Sequence, residues 1–312
     1  MDYSKSTNTQ TLTGHNDSVN SLIKITDDGL FASGSFDSSI KIWKLINEQY
    51  KLYQVLLGHT NSVYSLIKLS DDGLIASGSS DKSIKIWKRE NNQFKHFQTL
   101  TGHTGTVYSL IKISDDGLFA SGSWDKTIKI WTKENDQYKL HQTLTSHTNS
   151  VWTMIKISDD GTIASGSFDN TIKIWKQENG QFSLHQTLTG QTNYVNTLLN
   201  ISDDGLIASG SGDKTIKIWK QENGQFKLFQ NLTGHSGSVY CLVKISDDGV
   251  IASGSWDKSV KIWKRENGLF KLVQTLTGHS DSVWSLLKIT NDGLIASGSG
   301  DKSIKIWKFG FM

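Results

Sequence analysis

The chain has 312 residues, a formal net charge of +3, a single cysteine (Cys241) and no proline. A net charge this small gives no reason to expect nucleic-acid binding, and one cysteine excludes disulfide frameworks and thiolate zinc sites. No apolar run is long enough to span a membrane, and no secretion signal is recognisable. We expect a soluble protein of the cytoplasm, with the nucleus as the alternative, that holds no metal and no cofactor and binds no membrane.

The first element in the chain is a short strand pattern at residues 8–13, and a unit of 44 residues then follows seven times without insertion. The units start near residues 14, 58, 102, 146, 190, 234 and 278. A tryptophan marks each unit, at Trp43, Trp87, Trp131, Trp175, Trp219, Trp263 and Trp307. An aspartate precedes each tryptophan by six residues, at Asp37, Asp81, Asp125, Asp169, Asp213, Asp257 and Asp301. A fixed period of this length indicates an array of small supersecondary units.

Each unit has the pattern of four strands. In the second unit these are SVYSLIKL, LIASGS, SIKIWK and FKHFQTL, separated by Asp-Asp-Gly, Ser-Ser-Asp-Lys and Glu-Asn-Asn-Gln turns. A four-stranded meander has two apolar faces, so neighbouring units must stack face to face. Residues 8–13 match the end of a fourth strand, and the seventh unit stops after its third strand at Lys308. The N-terminal strand is therefore expected to complete the last unit and close the array into a ring.

The repeated residues resemble the WD-repeat β-propeller family. The resemblance covers residues 8–308 and rests on Gly-His at the start of most units, ASGS in all seven, the aspartate, and the tryptophan of KIW six residues later. It implies an all-β fold: a closed seven-bladed β-propeller with four antiparallel strands per blade, in a single domain spanning residues 1–312. The residue after each tryptophan is a lysine, or Thr132, where the family's signature has aspartate; the family tolerates this departure.

The resemblance also implies a buried, hydrogen-bonded tetrad of His, Ser, Asp and Trp in each blade. We expect tetrads at His59, Ser77, Asp81 and Trp87; at His103, Ser121, Asp125 and Trp131; and at His235, Ser253, Asp257 and Trp263. A hydrolase triad is the competing interpretation, but one active site repeated in six or seven blades would be redundant. Nucleophilic catalysis also needs an exposed hydroxyl beside an oxyanion hole. We expect no enzyme activity, and blade five, with Gln191 in place of histidine, should be the weakest.

At two positions the side chain differs strongly in size and chemistry from one unit to the next. The residue after the first-strand valine is Asn20, Tyr64, Tyr108, Trp152, Asn196, Tyr240 or Trp284. The residue before the turn aspartate is Phe36, Ser80, Trp124, Phe168, Gly212, Trp256 or Gly300. In the family these positions resemble those around the mouth of the central channel, the usual docking face for partner peptides. We expect the nine aromatic residues to bind a partner: Phe36, Tyr64, Tyr108, Trp124, Trp152, Phe168, Tyr240, Trp256 and Trp284.

The two faces of the ring are expected to differ in charge. Lysines follow the turn aspartate on the aromatic face, at Lys82, Lys126, Lys214, Lys258 and Lys302. The Asp-Asp-Gly turns, the last of which is Asn291, Asp292 and Gly293, place carboxylates on the opposite face. The two arginines, Arg89 and Arg265, lie toward that acidic side, which argues against tight phosphopeptide recognition.

The sequence leaves three functions open. The first is a monomeric, non-enzymatic interaction scaffold that binds a peptide segment of a protein partner over the aromatic channel mouth. The second is a small-ligand or glycan binder that uses the same aromatic rings as stacking platforms. The third is a purely structural propeller module of a larger protein. A peptide binder should have one dominant site, whereas a glycan binder built from repeats should have several similar weak ones.

Overall fold

A computed structural model describes residues 7–202, 205–290 and 293–308, and in these residues the chain forms twenty-eight β-strands. The N-terminal strand is β1 (Thr7–Leu12). Blade 1 contains β2 (Val19–Thr26), β3 (Leu30–Ser35), β4 (Ile40–Ile46) and β5 (Gln49–Leu56). Blade 2 contains β6 (Val63–Lys68), β7 (Leu74–Ser79), β8 (Ile84–Glu90) and β9 (Gln93–Leu100). Blade 3 contains β10 (Val107–Lys112), β11 (Phe119–Ser123), β12 (Thr127–Glu134) and β13 (Gln137–Thr145).

The remaining strands repeat this order. Blade 4 contains β14 (Val151–Lys156), β15 (Ile163–Ser167), β16 (Ile172–Glu178) and β17 (Gln181–Leu188). Blade 5 contains β18 (Val195–Ser202), β19 (Leu206–Ser211), β20 (Ile216–Glu222) and β21 (Gln225–Leu232). Blade 6 contains β22 (Val239–Ser246), β23 (Val250–Ser255), β24 (Val260–Glu266) and β25 (Leu269–Leu276). Blade 7 contains β26 (Val283–Lys288), β27 (Leu294–Ser299), β28 (Ile304–Lys308) and, from the other end of the chain, β1.

The ring is closed by the N-terminal strand. β1 pairs antiparallel with β28, with Leu12 opposite Ile304 and Thr11 opposite Lys305. Each of the seven sheets is a four-stranded antiparallel meander, and the order in blade 7 is β1-β28-β27-β26. The predicted all-β, seven-bladed propeller with a shared last blade is therefore confirmed. Among the described residues there is no helix that could cross a membrane.

The apolar core lies between blades, as the two-faced sheets require. Each of seven clusters combines residues of adjacent blades; one joins Ile40 and Ile42 of blade 1 to Ile75 and Trp87 of blade 2. The second strand of each blade, which carries the ASGS motif, packs tightly against the next blade. A Cβ on Gly78 would lie 2.7 Å from Cγ1 of Val107 in the next blade, so only glycine permits this approach.

A β-bulge recurs at one place in the first strand of every blade. In blade 3 the pairing of β10 with β11 shifts between Val107 and Ser109, which leaves Tyr108 as the extra residue. In the other six blades the same shift leaves the residue after the first-strand valine without a partner residue in the strand pairing. Bulges redirect a side chain out of the regular alternation. The bulge is therefore what turns the first variable position of each unit toward the channel.

The face opposite the aromatic positions carries paired charges. Lys68 and Asp71 lie 2.6 Å apart, and equivalent lysine–aspartate pairs occur at Lys24–Asp27, Lys112–Asp115, Lys156–Asp159 and Lys244–Asp247. The lysine lowers the pKa of its exposed aspartate partner at Asp27, Asp71, Asp115 and Asp247. Exposed pairs of this kind contribute little to stability. The last turn of the series, at Asn291 and Asp292, lies outside the described residues.

Candidate functional site: the tetrads and the channel mouth

The tetrad of blade 2 forms a continuous chain of hydrogen bonds. The Trp87 indole Nε1–H donates to Ser77 Oγ at 2.8 Å, and Ser77 Oγ lies 2.7 Å from His59 Nε2. His59 Nδ1 lies 2.7 Å from Asp81 Oδ2. With the carboxylate ionised, Nδ1–H donates to Asp81 and Nε2 accepts from the serine hydroxyl. Every polar group that enters the sheet interior is thus paired.

The same geometry recurs in every blade that has the histidine. In the six copies the histidine–aspartate distance is 2.7–2.8 Å and the histidine–serine distance is 2.7 Å. This set includes the predicted tetrads of His103 in blade 3 and His235 in blade 6. The tetrad serines are fully buried. A buried hydroxyl that already accepts from an indole cannot reach a substrate, so this geometry does not provide an exposed nucleophile.

The tetrad aspartate is held in its ionised form. Burial alone would raise the pKa of Asp81, but hydrogen bonds from His59 and Ser83 outweigh it and hold the pKa well below its usual range. Burial lowers the pKa of His147, partly offset by the hydrogen bond to Asp169. Within the described ranges, no cluster of three or more His, Cys, Asp or Glu could hold a metal ion.

In blade 5, which has Gln191 in place of the histidine, other hydrogen bonds replace those of the imidazole. Gln191 Nε2 donates to Ser209 Oγ at 2.6 Å, but Gln191 Oε1 is buried and finds no hydrogen-bond partner among the described residues. Asp213 Oδ2 instead accepts a hydrogen bond from Lys217 Nζ at 3.2 Å. One end of the imidazole is therefore replaced by the glutamine and the other by a lysine.

Six aromatic rings form a continuous series of contacts across the channel mouth, which we name the stack; only the Trp152–Phe168 and Phe168–Tyr194 pairs are parallel, and Tyr64–Tyr108 meets edge to face. The pairs in order are Phe36–Tyr64, Tyr64–Tyr108, Tyr108–Trp152, Trp152–Phe168 and Phe168–Tyr194, with ring centroids 4.1–5.1 Å apart. A separate pair, Tyr240 and Trp284, stacks at 4.1 Å. Five of the nine predicted binding residues thus lie in one assembly and two in another.

Trp152 is the centre of the larger stack. Its ring contacts Tyr64, Tyr108 and Phe168, so it is partly buried between other side chains. Trp152 therefore packs against other rings on more than one side. Substituting it would disturb the packing of the mouth as well as any contact made above it.

Trp124 and Trp256 are the two predicted binding residues outside both stacks. They are 62% and 61% exposed, and occupy the same position in blades 3 and 6. In both blades the facing loop has a glycine: a Cβ on Gly105 would lie 3.0 Å from Trp124 Cβ, and one on Gly237 would lie 3.1 Å from Trp256 Cβ. The glycines allow each tryptophan loop to approach its neighbour. The indoles remain available to solvent.

All seven bulge residues line one small cavity at the mouth, of about 160 Å³. Two asparagines interrupt its aromatic wall. Asn20 and Asn196 each donate through Nδ2 to a backbone carbonyl of the next blade, at 3.2 Å to Val63 and Val239 respectively. Asn20 Oδ1 is buried and has no hydrogen-bond partner within the described part of the chain. The asparagines therefore divide the mouth into the two aromatic groups.

The loops that carry the second variable position also carry the expected lysines. Lys82, Lys126, Lys214, Lys258 and Lys302 are exposed and adopt φ angles of 68–71°. The backbone nitrogen of Trp124 donates to the Thr106 carbonyl at 2.9 Å, which ties this loop to the one before the first strand. The aromatic positions and the lysines thus lie on the same face.

Sequence reasoning missed one member of the stack. Tyr194 extends the stack beyond Phe168, and the other units have Ser18, Ser62, Thr106, Ser150, Ser238 and Ser282 at its position. Applying the same comparison between units at that position would have found it. Tyr50 lies on the outer strand β5, but its side chain is buried against Phe31.

Comparison with known proteins agrees with this geometry. The model of the family described as WD domain, G-beta repeat matches residues 6–44, 50–88, 94–132, 138–176, 182–220, 226–264 and 270–308. A solved structure described as the crystal structure of the WD40 beta propeller domain of Doa1 is 30% identical to this chain. It superposes with a TM-score of 0.84, and the match covers 98% of each chain. No match was found among curated proteins.

Proposed function

The chain belongs to the WD40 family of WD-domain, G-beta repeats, and from this premise we propose that it binds a peptide segment of a protein partner across its aromatic channel mouth. Propellers of this family commonly serve as protein-interaction scaffolds and are generally non-enzymatic. The observation that carries the proposal is the pair of exposed tryptophans, Trp124 and Trp256, beside a preformed aromatic stack.

The stack supports the proposal because its rings are already ordered. Trp152 and Phe168 are stacked with their planes 18° apart, and Phe168 and Tyr194 with theirs 21° apart. A rigid aromatic surface loses little side-chain entropy when a ligand binds. Two large exposed indoles in a single chain are also typical of binding hot spots. A peptide anchored by Trp124 would cross a preorganised surface.

The charge on this face favours a peptide with carboxylate side chains. Lys126 and Lys258 each lie two residues after an exposed tryptophan, and both are exposed. Each could meet an acidic side chain placed next to an apolar anchor, and such rim charges mainly increase the association rate. Binding is therefore expected to weaken as the salt concentration rises.

The test compares affinity capture by the wild-type chain with capture by the double variant Trp124→Ala, Trp256→Ala. The matched control is Phe229→Ala, which removes an exposed aromatic ring from the outer strand of blade 5. A protein that is captured by wild type and control but lost by the double variant supports the proposal. Equal capture by all three would contradict it.

Calorimetry on the captured partner then separates peptide binding from glycan binding. One dominant site per chain is expected for a peptide. Several weak, similar sites for an oligosaccharide, with no captured protein, would favour the stacking-platform alternative, in which Trp124 and Trp256 act as equivalent platforms.

A further inference from the structure

The outer edge of blade 1 differs from the outer edges of the other blades. Leu45, Leu52, Val55 and Leu57, which we name the blade-1 patch, are 39%, 47%, 39% and 75% exposed. Three of the four lie on or next to the edge strand β5, and Leu45 lies at the end of β4. A soluble propeller usually keeps such edges polar to prevent unwanted strand pairing.

Comparison between units shows that the patch is particular to blade 1. The residue equivalent to Leu57 is threonine in the other six units, at Thr13, Thr101, Thr145, Thr189, Thr233 and Thr277. The residue equivalent to Val55 is a threonine or an asparagine, at Thr11, Thr99, Thr143, Thr187, Asn231 and Thr275. The residue equivalent to Leu45 is charged or polar in blades 2 to 6, at Arg89, Lys133, Gln177, Gln221 and Arg265, and is Phe309 in the seventh unit. Blade 1 has thus replaced three polar positions on one edge with apolar ones.

One of these replacements also leaves a lysine without its usual acceptor. In blade 2, Lys85 Nζ donates to Thr99 Oγ1 at 3.0 Å, and four other blades pair the equivalent lysine and threonine at 2.9–3.4 Å. In blade 5 the lysine binds Asp213 instead. Lys41 of blade 1 lies opposite Val55, which offers no acceptor. Among the described residues its ammonium group has no hydrogen-bond or ion-pair partner; most of the side chain is covered, with 8% of the residue exposed, and Nζ itself reaches solvent.

Lys41 and the patch lie on one side of the blade. Trp43 and Tyr50 belong to the core cluster between blades 7 and 1. Strand alternation places Lys41 on the same side as Trp43, and pairing places Val55 opposite Lys41 and Leu52 opposite Trp43. β5 is the terminal strand of its sheet. The Gln10 side chain caps the outer edge of β5 at Tyr50, where it bonds both the backbone nitrogen and the backbone oxygen, and among the described residues no side chain caps that edge at Leu52, where a further strand could pair.

We propose that the outer edge of blade 1 is a second interaction surface, which binds an extended segment of a partner protein carrying apolar side chains and a carboxylate. The apolar side chains cover Leu52, Val55 and Leu57. The carboxylate takes the place of the threonine hydroxyl as the acceptor for Lys41. The partner's backbone extends the sheet along β5, which supplies affinity, while the patch and Lys41 supply specificity.

The experiment selects a phage-displayed library of random peptides on the full chain and counter-selects on the double variant Val55→Thr, Leu57→Thr. This variant restores residues that other blades carry, so it is expected to fold. Peptides lost on counter-selection should be rich in apolar and acidic residues. They should bind the double variant roughly tenfold more weakly, as expected for losing a buried leucine contact.

Two further variants test the separate parts of the proposal. Lys41→Gln should weaken the selected peptides severalfold but leave unchanged the analogues in which glutamine replaces the acidic residue. In blade 3, which already has Leu140 at the Leu52 position, Thr143→Val with Thr145→Leu should create a second site. Calorimetry should then show the stoichiometry rising from one peptide per chain to two.

The channel-mouth variant Trp124→Ala, Trp256→Ala should keep full affinity for these peptides, which separates this surface from the proposed function. Selected peptides that bind the Val55→Thr, Leu57→Thr variant as tightly as wild type would overturn the proposal. Peptides that depend on Trp124 instead would overturn it and support the channel mouth. Sedimentation showing a dimer that the double variant dissociates would assign the patch to a second copy of the chain and also overturn it.

Discussion

Lys217 in blade 5 donates to Asp213 at 3.2 Å, on the carboxylate oxygen that a histidine occupies in the other six blades. In blade 3 the equivalent Lys129 turns to Thr143 instead. Blade 5 has Asn231 where blade 3 has this threonine, and its lysine bonds the turn aspartate instead. This exchange keeps the aspartate paired, but Gln191 Oε1 stays buried with no hydrogen-bond partner in the described part of the chain.

Gln191→His is expected to leave the free energy of unfolding unchanged or raise it by up to about 1 kcal/mol, because it removes an unpaired buried oxygen and restores the tetrad. Chemical denaturation measures this directly. Lys217→Met is the companion change and should destabilise the chain more than Lys129→Met does. Equal losses for the two lysine variants would contradict the compensating role of Lys217.

Asp257→Ala should lower the free energy of unfolding by about 1–3 kcal/mol, because His235 and Ser259 lose their buried acceptor. The exposed Asp247 on the opposite face provides the control, and Asp247→Ala should leave the free energy of unfolding almost unchanged. A loss of some hydrolytic activity with unchanged unfolding would restore the catalytic interpretation of the tetrad.

Removing β1 together with the residues before it should destabilise the whole ring by at least about 2 kcal/mol. Blade 7 loses its outer strand, and Leu12 leaves the core cluster between blades 7 and 1. Thermal unfolding of the truncated chain tests this. An unchanged midpoint would mean that the closure contributes nothing to stability.

Stability should fall steeply in acid. The pKa of six tetrad aspartates is held below the usual value in the folded chain, chiefly by hydrogen bonds from histidine that outweigh the opposing effect of burial. The unfolded chain therefore binds more protons as the pH drops below about 4, and the stability these groups contribute is lost through the folded pKa. Denaturation from pH 7 to pH 2.5 measures the loss. The difference in free energy of unfolding between wild type and Asp257→Asn should become smaller as the pH falls. A difference that stays constant with pH would contradict this assignment.

Trp124→Ala should cost about 2 kcal/mol or more in affinity for a channel-mouth partner, with little change in stability, because the indole is mostly exposed. Trp152→Ala should lower both affinity and stability, since Trp152 contacts three other rings. Titration and thermal unfolding of both variants distinguish the two effects. His141→Ala, on the outer strand of blade 3, should change neither. If His141→Ala lowered the affinity for a verified partner and Trp124→Ala did not, the binding site would lie at the blade edges.

The repeated pattern determined the fold without any tertiary information. Trp87 and its six equivalents at a constant interval fix the number of blades, and the phase of Leu12 relative to Lys308 predicts which blade the first strand completes. Local turn chemistry and strand alternation suffice for this because every unit carries the same signals. The comparison between units also located Trp124 and Trp152 at variable positions.

Only the tertiary structure decided what those variable positions do. Residues 44 apart in sequence are brought around one axis, and their ring contacts depend on the bulge at each first strand and on the side chains of neighbouring blades. Trp124 and Trp152 are both tryptophans at variable positions, yet one is exposed and the other is wedged between three rings. The environment of Lys41 follows from the same cause: strand pairing places Val55, which offers no acceptor, opposite it where other blades have a threonine.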